Sequence, residues 1–179
     1  MAEKISFHRH EVKFRLPDPA LLKVWISAVV RAHHRKINSV GYVFCSDAFL
    51  LEINRQFLRH DYLTDIITFD LSTTQKKATS ARRVGTGTTS RPTNLPELSS
   101  EIYISIDRVR ENAQGYGIPF TEELQRVMIH GILHLLGNKD KTKAQKALMR
   151  QKEDACLSLL HVPRGTWSKR INRLFHVEH

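Results

Sequence analysis

The sequence lacks the features that would indicate a secreted or a membrane protein. It has only two cysteines, Cys45 and Cys156, which stand far apart and form neither a C-x-x-C motif nor a disulfide framework. No apolar run approaches the ~20 residues that cross a bilayer, and the charged first residues lack the apolar segment of a signal peptide. We therefore expect a protein of the reducing cytoplasm with no membrane segment.

Acidic residues are scarce relative to basic ones. Lysine and arginine number 28 against 18 aspartates and glutamates, which gives a net charge of +10 and a pI of about 9.9. Most of the excess falls in residues 72–98 and 161–179, two segments that look poorly suited to a folded core. A basic balance favours polyanionic partners such as nucleic acid or a ribosomal surface. The alternative is a soluble protein whose basic charge serves no partner.

The distribution of apolar residues predicts one α+β domain. A chain of 179 residues with 41% hydrophobic residues has the size and composition of a single folded domain. Alternating or β-branched stretches predict strands, and apolar residues three or four apart predict helices, so we expect about four strands and about five helices. The candidate strands are residues 4–8, 11–16, 39–45, 66–69 and 101–105; the candidate helices begin at caps on Asp18, Ser46 or Asp47, Asp107 and Thr121, and the last spans about 143–160.

Residues 72–98 differ in composition from the rest of the chain. Serine, threonine, glycine and arginine dominate this stretch and no periodicity persists, which predicts a long, mobile surface loop. Such a loop is either a basic arm that contacts phosphates or an inert insertion between strands. We expect the folded domain to span residues 1–162 and to include this loop, with residues 163–179 as a basic C-terminal tail.

His130 and His134 lie one helical turn apart, near the end of an apolar helix that we expect to be central and buried. Imidazoles at this spacing project from one face and can share a metal ion. Gly137 stops the helix and turns the chain back, which brings Asp140 towards the same point. Two histidines and a carboxylate from one segment are the ligand set of a catalytic zinc site. The alternative is a pair of hydrogen-bonded core histidines.

Gly131 stands where the peptidase motif H-E-x-x-H has the glutamate that activates water. A peptidase function is therefore disfavoured. Cleavage of a phosphodiester depends less on a protein base, because a bound metal ion polarises the phosphoryl oxygen and lowers the pKa of its own water. RNA also carries an internal nucleophile, its 2′-hydroxyl. The pattern therefore favours phosphodiester chemistry.

Three sequence blocks resemble the YbeY family of bacterial metal-dependent endoribonucleases. The first block runs from His130 to Gly137 with the pattern HG-x-LHL-x-G. The second, residues 52–69, is similar to the family pattern LN-x-x-YR-x-KD-x-PTDVLSF, and the third, residues 101–105, is similar to GDI-x-IS. The blocks occur in the family's order and spacing between residues 52 and 140.

The resemblance implies an α+β fold with a mixed sheet and a zinc-dependent, single-strand-specific endoribonuclease that acts in ribosomal RNA maturation and ribosome quality control. It also implies single-stranded or ribosomal RNA and the small ribosomal subunit as partners. One zinc ion would be held by His130, His134 and the residue at position 140. The family pattern has histidine there, whereas this chain has Asp140, preceded by Lys139. Aspartate is a competent oxygen ligand for zinc, so we expect a site with a harder ligand set.

Basic residues near these blocks are candidates for binding the RNA backbone. The family arginine of the second block aligns with Leu58, and Arg59 follows it, so Arg59 is a candidate phosphate contact in the catalytic site. The alternative for Arg59 is an exposed charge. The remaining candidates are Arg108, Lys139, Lys169, Arg170 and Arg173.

Two other functions stay open. The first is a ribosome-associated RNA-binding factor whose metal is structural, and the second is a metal-dependent hydrolase of a small molecule. Asp61, Thr64 and Asp65 precede a predicted strand, where turn formation explains them and a role in framing an RNA cleft is the alternative.

Overall fold

The computed structural model describes residues 4–72 and 95–175 of the chain. Within these ranges four strands form one mixed sheet in the order β1-β2-β4-β3. The strands β1, β2 and β4 run parallel to one another, and β3 runs antiparallel to β4. Their bounds are β1 (Lys4–Arg9), β2 (Lys36–Cys45), β3 (Ile66–Asp70) and β4 (Glu97–Ser105). The predicted single α+β domain with a mixed sheet is confirmed.

The described ranges contain six helices, one more than expected. They are α1 (Pro19–Ala32), α2 (Asp47–Ile53), α3 (Ile106–Tyr116), α4 (Phe120–Leu135), α5 (Lys143–Ser158) and α6 (Trp167–Phe175). A π-helical turn, Asn54–Leu58, continues α2. Two 3-10 turns, Leu159–His161 and Arg164–Thr166, connect α5 to α6.

The helix α4 lies at the centre of the fold because apolar residues occupy most of its circumference. It packs against β3, β4, α1, α3 and α5. The buried hydroxyl of Tyr42 on β2 donates to the carbonyl oxygen of Met128 at 3.2 Å, which ties α4 to the sheet. On the other side, the indole of Trp25 on α1 donates to the carbonyl oxygen of Cys156 on α5 at 2.9 Å. The expectation of a central helix that carries the two histidines is confirmed.

The predicted strand at residues 11–16 is wrong. The backbone N–H of His10 still donates to the carbonyl oxygen of Phe44 at 2.8 Å, but Glu11 has a φ of 56°, which ends the extended conformation. The alternating apolar residues instead fill separate places in the core. The ring of Phe14, for example, packs edge-on against Phe44 with centroids 5.0 Å apart.

The start of α3 differs from the prediction. Ser105 caps the helix by accepting from the N–H of Arg108 at 3.1 Å. The predicted cap, Asp107, lies in the first turn, where its carboxylate accepts from the N–H of Asp47 at 3.0 Å. The helix runs on to Tyr116 and ends at Gly117, whose φ of 66° suits glycine.

The start of α4 also lies earlier than expected. Pro119 precedes the helix and supplies no side-chain cap, and Thr121 is already inside the first turn. Glu122 and Glu123 occupy that first turn, where their negative charge compensates the positive end of the helix dipole.

The predicted loop at residues 72–98 extends too far at its C-terminal end, because its last residues belong to a strand. β4 begins at Glu97, and Leu98 is fully buried between the sheet and the helices. Leu98 therefore belongs to the core. The central part of the predicted loop, residues 73–94, lies outside the described residues.

The predicted basic tail contains the helix α6. Its residues Trp167 and Ile171 are buried in the main core cluster, where α6 packs against α1 and α5. The predicted RNA-binding residues on this helix, Lys169, Arg170 and Arg173, are exposed. Basic residues of the predicted tail therefore form the solvent face of an amphipathic helix, whose buried residues Trp167 and Ile171 stand at the i, i+4 spacing.

Neither cysteine is paired in the structure. Cys45 and Cys156 are buried free thiols, and burial raises the pKa of the Cys45 thiol to about 12.

In the two described ranges, no helix has the length and apolarity needed to pass through a bilayer.

Candidate metal centre

The C-terminal end of α4 brings the predicted ligands together. His130 and His134 lie one turn apart on the same face of the helix. Past the helix, Gly137 adopts a φ of 93°, and the N–H of Asn138 donates to the carbonyl oxygen of Leu133 at 3.0 Å. This ending is a Schellman motif, and it reverses the direction of the chain as predicted from the glycine at position 137. The reversal returns the following residues to the face of α4 that carries the histidines.

The three predicted ligands converge on one point. Nε2 of His130 lies 3.0 Å from Nε2 of His134. Oδ2 of Asp140 lies 3.4 Å from the His134 nitrogen and 3.7 Å from the His130 nitrogen. A tetrahedral zinc ion with bonds of about 2.05 Å would separate its ligand atoms by about 3.3 Å. The observed separations scatter around that value, so the group fits a single small cation.

The hydrogen bonds behind the rings assign the tautomers of both histidines. Nδ1 of His134 lies 3.0 Å from the carbonyl oxygen of Asn138, which can only accept, so this nitrogen carries the proton. Nδ1 of His130 likewise donates to Oε1 of Glu153 at 2.7 Å. When both rings are neutral, as metal-binding imidazoles are, their Nε2 atoms therefore present lone pairs towards each other and towards the Asp140 carboxylate. Three facing acceptors repel one another unless a cation lies between them, which is a chemical reason for a metal ion here.

Glu153 on α5 is the central support of this arrangement. It is 5% exposed, and its second carboxylate oxygen accepts from Nη1 of Arg126 at 3.4 Å. Arg126 lies one turn before His130 on α4 and also donates to Asp154 at 2.6 Å. A buried carboxylate costs free energy unless it is paired, and the arginine supplies that pair. Burial alone would lower the pKa of His130, but the hydrogen bond and charge of Glu153 outweigh it and raise that pKa.

The ligands open into a cleft of about 630 Å³. Its helix-side wall consists of His130, His134, Leu135 and Asp140. Its strand-side wall comes from the π-helical turn, the following loop and β3, and its lining residues are Asn54, Leu58, His60, Tyr62, Thr64, Asp65, Ile66, Ile67, Thr68 and Asp70. A cleft of this volume is in the ~300–1,000 Å³ range of ligand sites. The metal centre is therefore accessible to a substrate from the strand side.

Gly131 allows the two walls to approach each other. A Cβ atom at this position would lie 2.9 Å from Cδ1 of Ile66 and 3.1 Å from Oγ1 of Thr68, both on β3. The absence of a glutamate next to His130 therefore has a packing reason, because α4 lies directly against the strand at this point. A larger side chain would require these side chains or the helix itself to shift.

Asp65 on the strand-side wall is near enough to His130 for the charge of each group to affect the pKa of the other. Desolvation raises the pKa of its carboxyl group, although the nearby charge of His130 acts in the opposite direction. The side-chain amide of Asn112 on α3 lies 3.5 Å from Oδ2 of Asp65. The backbone carbonyl oxygen of Asp65 accepts from the N–H of Ser105 at 2.9 Å. The backbone of Asp65 is therefore held by β4, and turn formation does not explain the position of its side chain in the cleft.

The structure does not bring every predicted RNA-binding residue to the cleft. Arg59 is exposed at the end of the π-helical turn with a φ of 57°, and its neighbours Leu58 and His60 line the cleft while Arg59 does not. Arg108 forms ion pairs with Asp47, at 2.7 Å, and with Glu111. Its guanidinium is therefore already engaged by two carboxylates.

The other basic candidates lie at the surface. Lys139 is exposed next to Asp140, at the edge of the metal centre. Lys169, Arg170 and Arg173 lie on α6 and do not line the cleft. They form a separate basic surface on the helix that packs against α1 and α5.

Sequence reasoning missed Glu153, although a signal was present. The buried residues of α5 are Met149, Glu153, Cys156 and Leu157, so the glutamate occupies the apolar stripe of an amphipathic helix. A carboxylate in such a position requires a buried partner. Asn138 was also missed; it caps α4 through Leu133 and accepts from Lys152 at 2.7 Å, which fixes the chain just before Asp140.

Comparison with known proteins identifies related sequences over most of the chain. The model of the family described as Endoribonuclease YbeY matches residues 5–161. Endoribonuclease YbeY of Flavobacterium psychrophilum is 43% identical over 158 residues, which cover 88% of this chain and 97% of that protein. Endoribonuclease YbeY of Cytophaga hutchinsonii is 41% identical over 157 residues, which cover 88% and 96% of the two chains.

A solved structure supports the fold. The solution structure of TM1509 from Thermotoga maritima superposes with a TM-score of 0.52 at 23% identity, covering 88% of this chain and 91% of that chain. This likeness concerns the arrangement of the sheet and helices.

Proposed function

Because the chain belongs to the Endoribonuclease YbeY family, we propose that it is a metal-dependent endoribonuclease that cuts single-stranded RNA. The observation that carries this proposal is the convergence of His130, His134 and Asp140 at the base of an open cleft. The names of the relatives supply the reaction class, and the three ligands supply a place for the ion. The cleft supplies access for an extended substrate.

Zinc is the ion that we propose for this site. Two imidazole nitrogens and one carboxylate oxygen are ligands that zinc accepts, and three protein ligands are typical of its catalytic sites. A zinc ion bound there would polarise a phosphoryl oxygen and lower the pKa of a bound water. The chain's own residues hold the three donor atoms in place: Glu153 and the Asn138 carbonyl fix the two ring tautomers, and Gly137 returns Asp140 to them.

Ribosomal RNA on the small subunit is the proposed physiological substrate. The protein would then act in the cytoplasm, in the maturation and quality control of ribosomes. The net charge of +10 supports a polyanionic partner. Lys139 at the edge of the metal centre and Arg59 at the rim are proposed backbone contacts. The exposed face of α6, with Lys169, Arg170 and Arg173, is proposed as a second contact further from the cut.

Cleavage of a short single-stranded RNA by the purified protein tests the proposal. We expect cleavage by the zinc-loaded protein, loss of activity with a chelator, and recovery when zinc is added back. His134→Ala should lose one zinc equivalent per chain and at least about 100-fold of the activity, because it removes a direct ligand. The matched control is His8→Ala, an exposed histidine on β1, which should retain both.

Cleavage that is unchanged by the chelator and by His134→Ala would contradict the proposal. A protein that binds RNA and zinc but cuts nothing, and that loses most of its thermal stability on chelation, would instead be an RNA-binding factor with a structural metal.

A further inference from the structure

We propose that His60 and Tyr62 form a stacking subsite for one nucleobase of the RNA, on the strand-side wall of the cleft. This inference rests on the proposed function, because it assigns a position to the substrate of that same site. It concerns how the substrate is held, and it adds no group to the metal centre.

The two rings form an exposed aromatic platform. Their centroids lie 5.1 Å apart with an interplanar angle of 23°, and the Tyr62 hydroxyl lies 3.0 Å from Nδ1 of His60. Both residues line the cleft that contains the metal ligands. Tyr62 is nevertheless 58% exposed. His60 stacks on the phenol ring, and the remaining exposure of Tyr62 leaves ring surface open to a ligand.

Apolar surface is concentrated around this platform. Nine large hydrophobic side chains are exposed in the described residues, and four of them are Phe57, Leu58, Tyr62 and Leu63. Leu58 also lines the cleft, so the wall next to the rings is apolar. A wall that contacts a phosphate would need a cation at this place instead. An exposed apolar patch at the mouth of a site indicates a binding surface. Of the parts of a nucleotide, only the base has the flat apolar face that matches it.

The loop that carries the rings is held in place before any ligand binds. The amide of Asn54, which is buried, donates to the carbonyl oxygen of Tyr62 at 2.9 Å. The N–H of His60 donates to the carbonyl oxygen of Asn54 at 3.3 Å. The guanidinium of Arg55 binds the Asp61 carboxylate at 2.6 Å, between the two rings in sequence. A preformed platform loses little conformational entropy on binding, which favours affinity.

The location of the platform fits a substrate that is cut at the metal centre. The cleft of about 630 Å³ has the size of a ligand site, and both the rings and the metal ligands line it. Proteins that bind single strands use exposed aromatic rings in this way, and duplexes hide their base faces within the stack. The subsite would therefore favour single-stranded RNA with little preference for base identity, and it would fix which phosphate reaches the metal.

Steady-state cleavage of a short single-stranded RNA by zinc-loaded variants tests the subsite. Stacking of one base is worth ~1–3 kcal/mol, so Tyr62→Ala should raise KM by about 5- to 150-fold and change kcat much less. Tyr62→Phe keeps the ring and should stay within about threefold of the wild-type KM. The matched control is Tyr116→Ala, since Tyr116 is also an exposed tyrosine, at 64%, and does not line the cleft.

Substrates with one abasic nucleotide locate the contact. In the wild type, one abasic position should raise KM more than the others, and this difference should disappear in Tyr62→Ala. Circular dichroism and thermal melting establish that the exposed substitution leaves the fold intact. Cleavage with an unchanged KM for Tyr62→Ala, or abasic penalties equal in both proteins, would overturn the subsite alone. A wild type that neither cuts nor binds RNA would overturn the proposed function as well.

Discussion

The two walls of the cleft are built in different ways. The helix-side wall takes its three candidate metal ligands from positions 130 to 140, and each histidine donates to a buried carboxylate or a backbone carbonyl behind it. The strand-side wall is formed by the loop and strand between Asn54 and Asp70, and its rings and apolar side chains are largely exposed. A wall that holds an ion needs fixed donors in a protected setting, whereas a wall that receives a substrate must keep its surface open.

The support of each wall reflects this difference. Behind the helix-side wall, Arg126, Glu153 and Asp154 form a partly buried charge network, and such a network is strongly destabilised when one member is removed. The strand-side wall depends on hydrogen bonds within its own loop, such as the one that the side-chain amide of Asn54 donates to the carbonyl oxygen of Tyr62. Substitutions in the supports should therefore affect metal binding on one side and substrate binding on the other.

The largest effect that separates the walls is expected for Glu153→Gln. The change removes the charge that fixes the His130 ring, and loss of such a support typically costs about 10- to 100-fold in metal affinity. Competition with a chromogenic chelator measures the zinc affinity directly. Asp61→Asn, which removes an exposed carboxylate from the strand-side wall, is the control and should leave the zinc affinity unchanged. Equal zinc affinities for wild type and Glu153→Gln would mean that the ligand ring is positioned without this glutamate.

The next effect concerns the place where the walls touch. Gly131→Ala adds a methyl group against Ile66 and Thr68, and overpacking of this kind costs about 1–3 kcal/mol of stability. Chemical denaturation should show this loss, and activity should fall because α4 and β3 are pushed apart. Gly165→Ala is the matched control, because nothing lies within 4 Å of its added methyl group. If both variants are equally stable, the close approach of α4 to β3 is not needed.

A smaller effect is expected from the charge of Asp65, and it depends on pH. Desolvation raises the pKa of this carboxyl group in the folded state, so its contribution to stability is full below the ordinary carboxyl pKa and is lost as pH rises through the raised value. Asp65→Asn should therefore raise the Tm of the metal-free protein at pH 7, with a gain that shrinks as the pH falls towards 4.

Thermal melting across pH 4–8 checks this sign. The exposed residue Glu11 provides the comparison, because Glu11→Gln should not show the same dependence. A Tm for Asp65→Asn that lies below that of the wild type at pH 7 would mean that the ionised carboxylate stabilises the fold.

The smallest effect is expected at the rim of the strand-side wall. Arg59 is exposed and lies beside the cleft, so Arg59→Ala should raise KM only a few-fold and reduce the slope of log affinity against log salt by about one. Lys4→Ala, on the strand at the other edge of the sheet from β3, is the control. A large loss of kcat in Arg59→Ala would instead place this guanidinium next to the reacting phosphate.

Local sequence patterns were sufficient to predict the fold class and the three candidate metal ligands. The i, i+4 spacing of the histidines and the glycine at 137 act within one helix and its ending, so their geometry follows from backbone rules alone. Capping was less predictable, because Asp107 and Ser105 are both good caps and a contact with Asp47 separates them. The alternation of apolar and polar residues at 11–16 also led to a wrong strand prediction, because apolar residues in an irregular segment can pack into the core as well as those in a strand.

The amino-acid sequence was sufficient for the family, the α+β class and a convergent set of three donor atoms, because each depends on neighbours within a few turns of chain. Tertiary packing alone placed Glu153, 23 positions from His130, behind the metal centre and set the rings of His60 and Tyr62 in the same cleft. Contacts of this kind depend on how α4, α5 and β3 stack against each other, and that stacking is the joint result of all the side chains in the core.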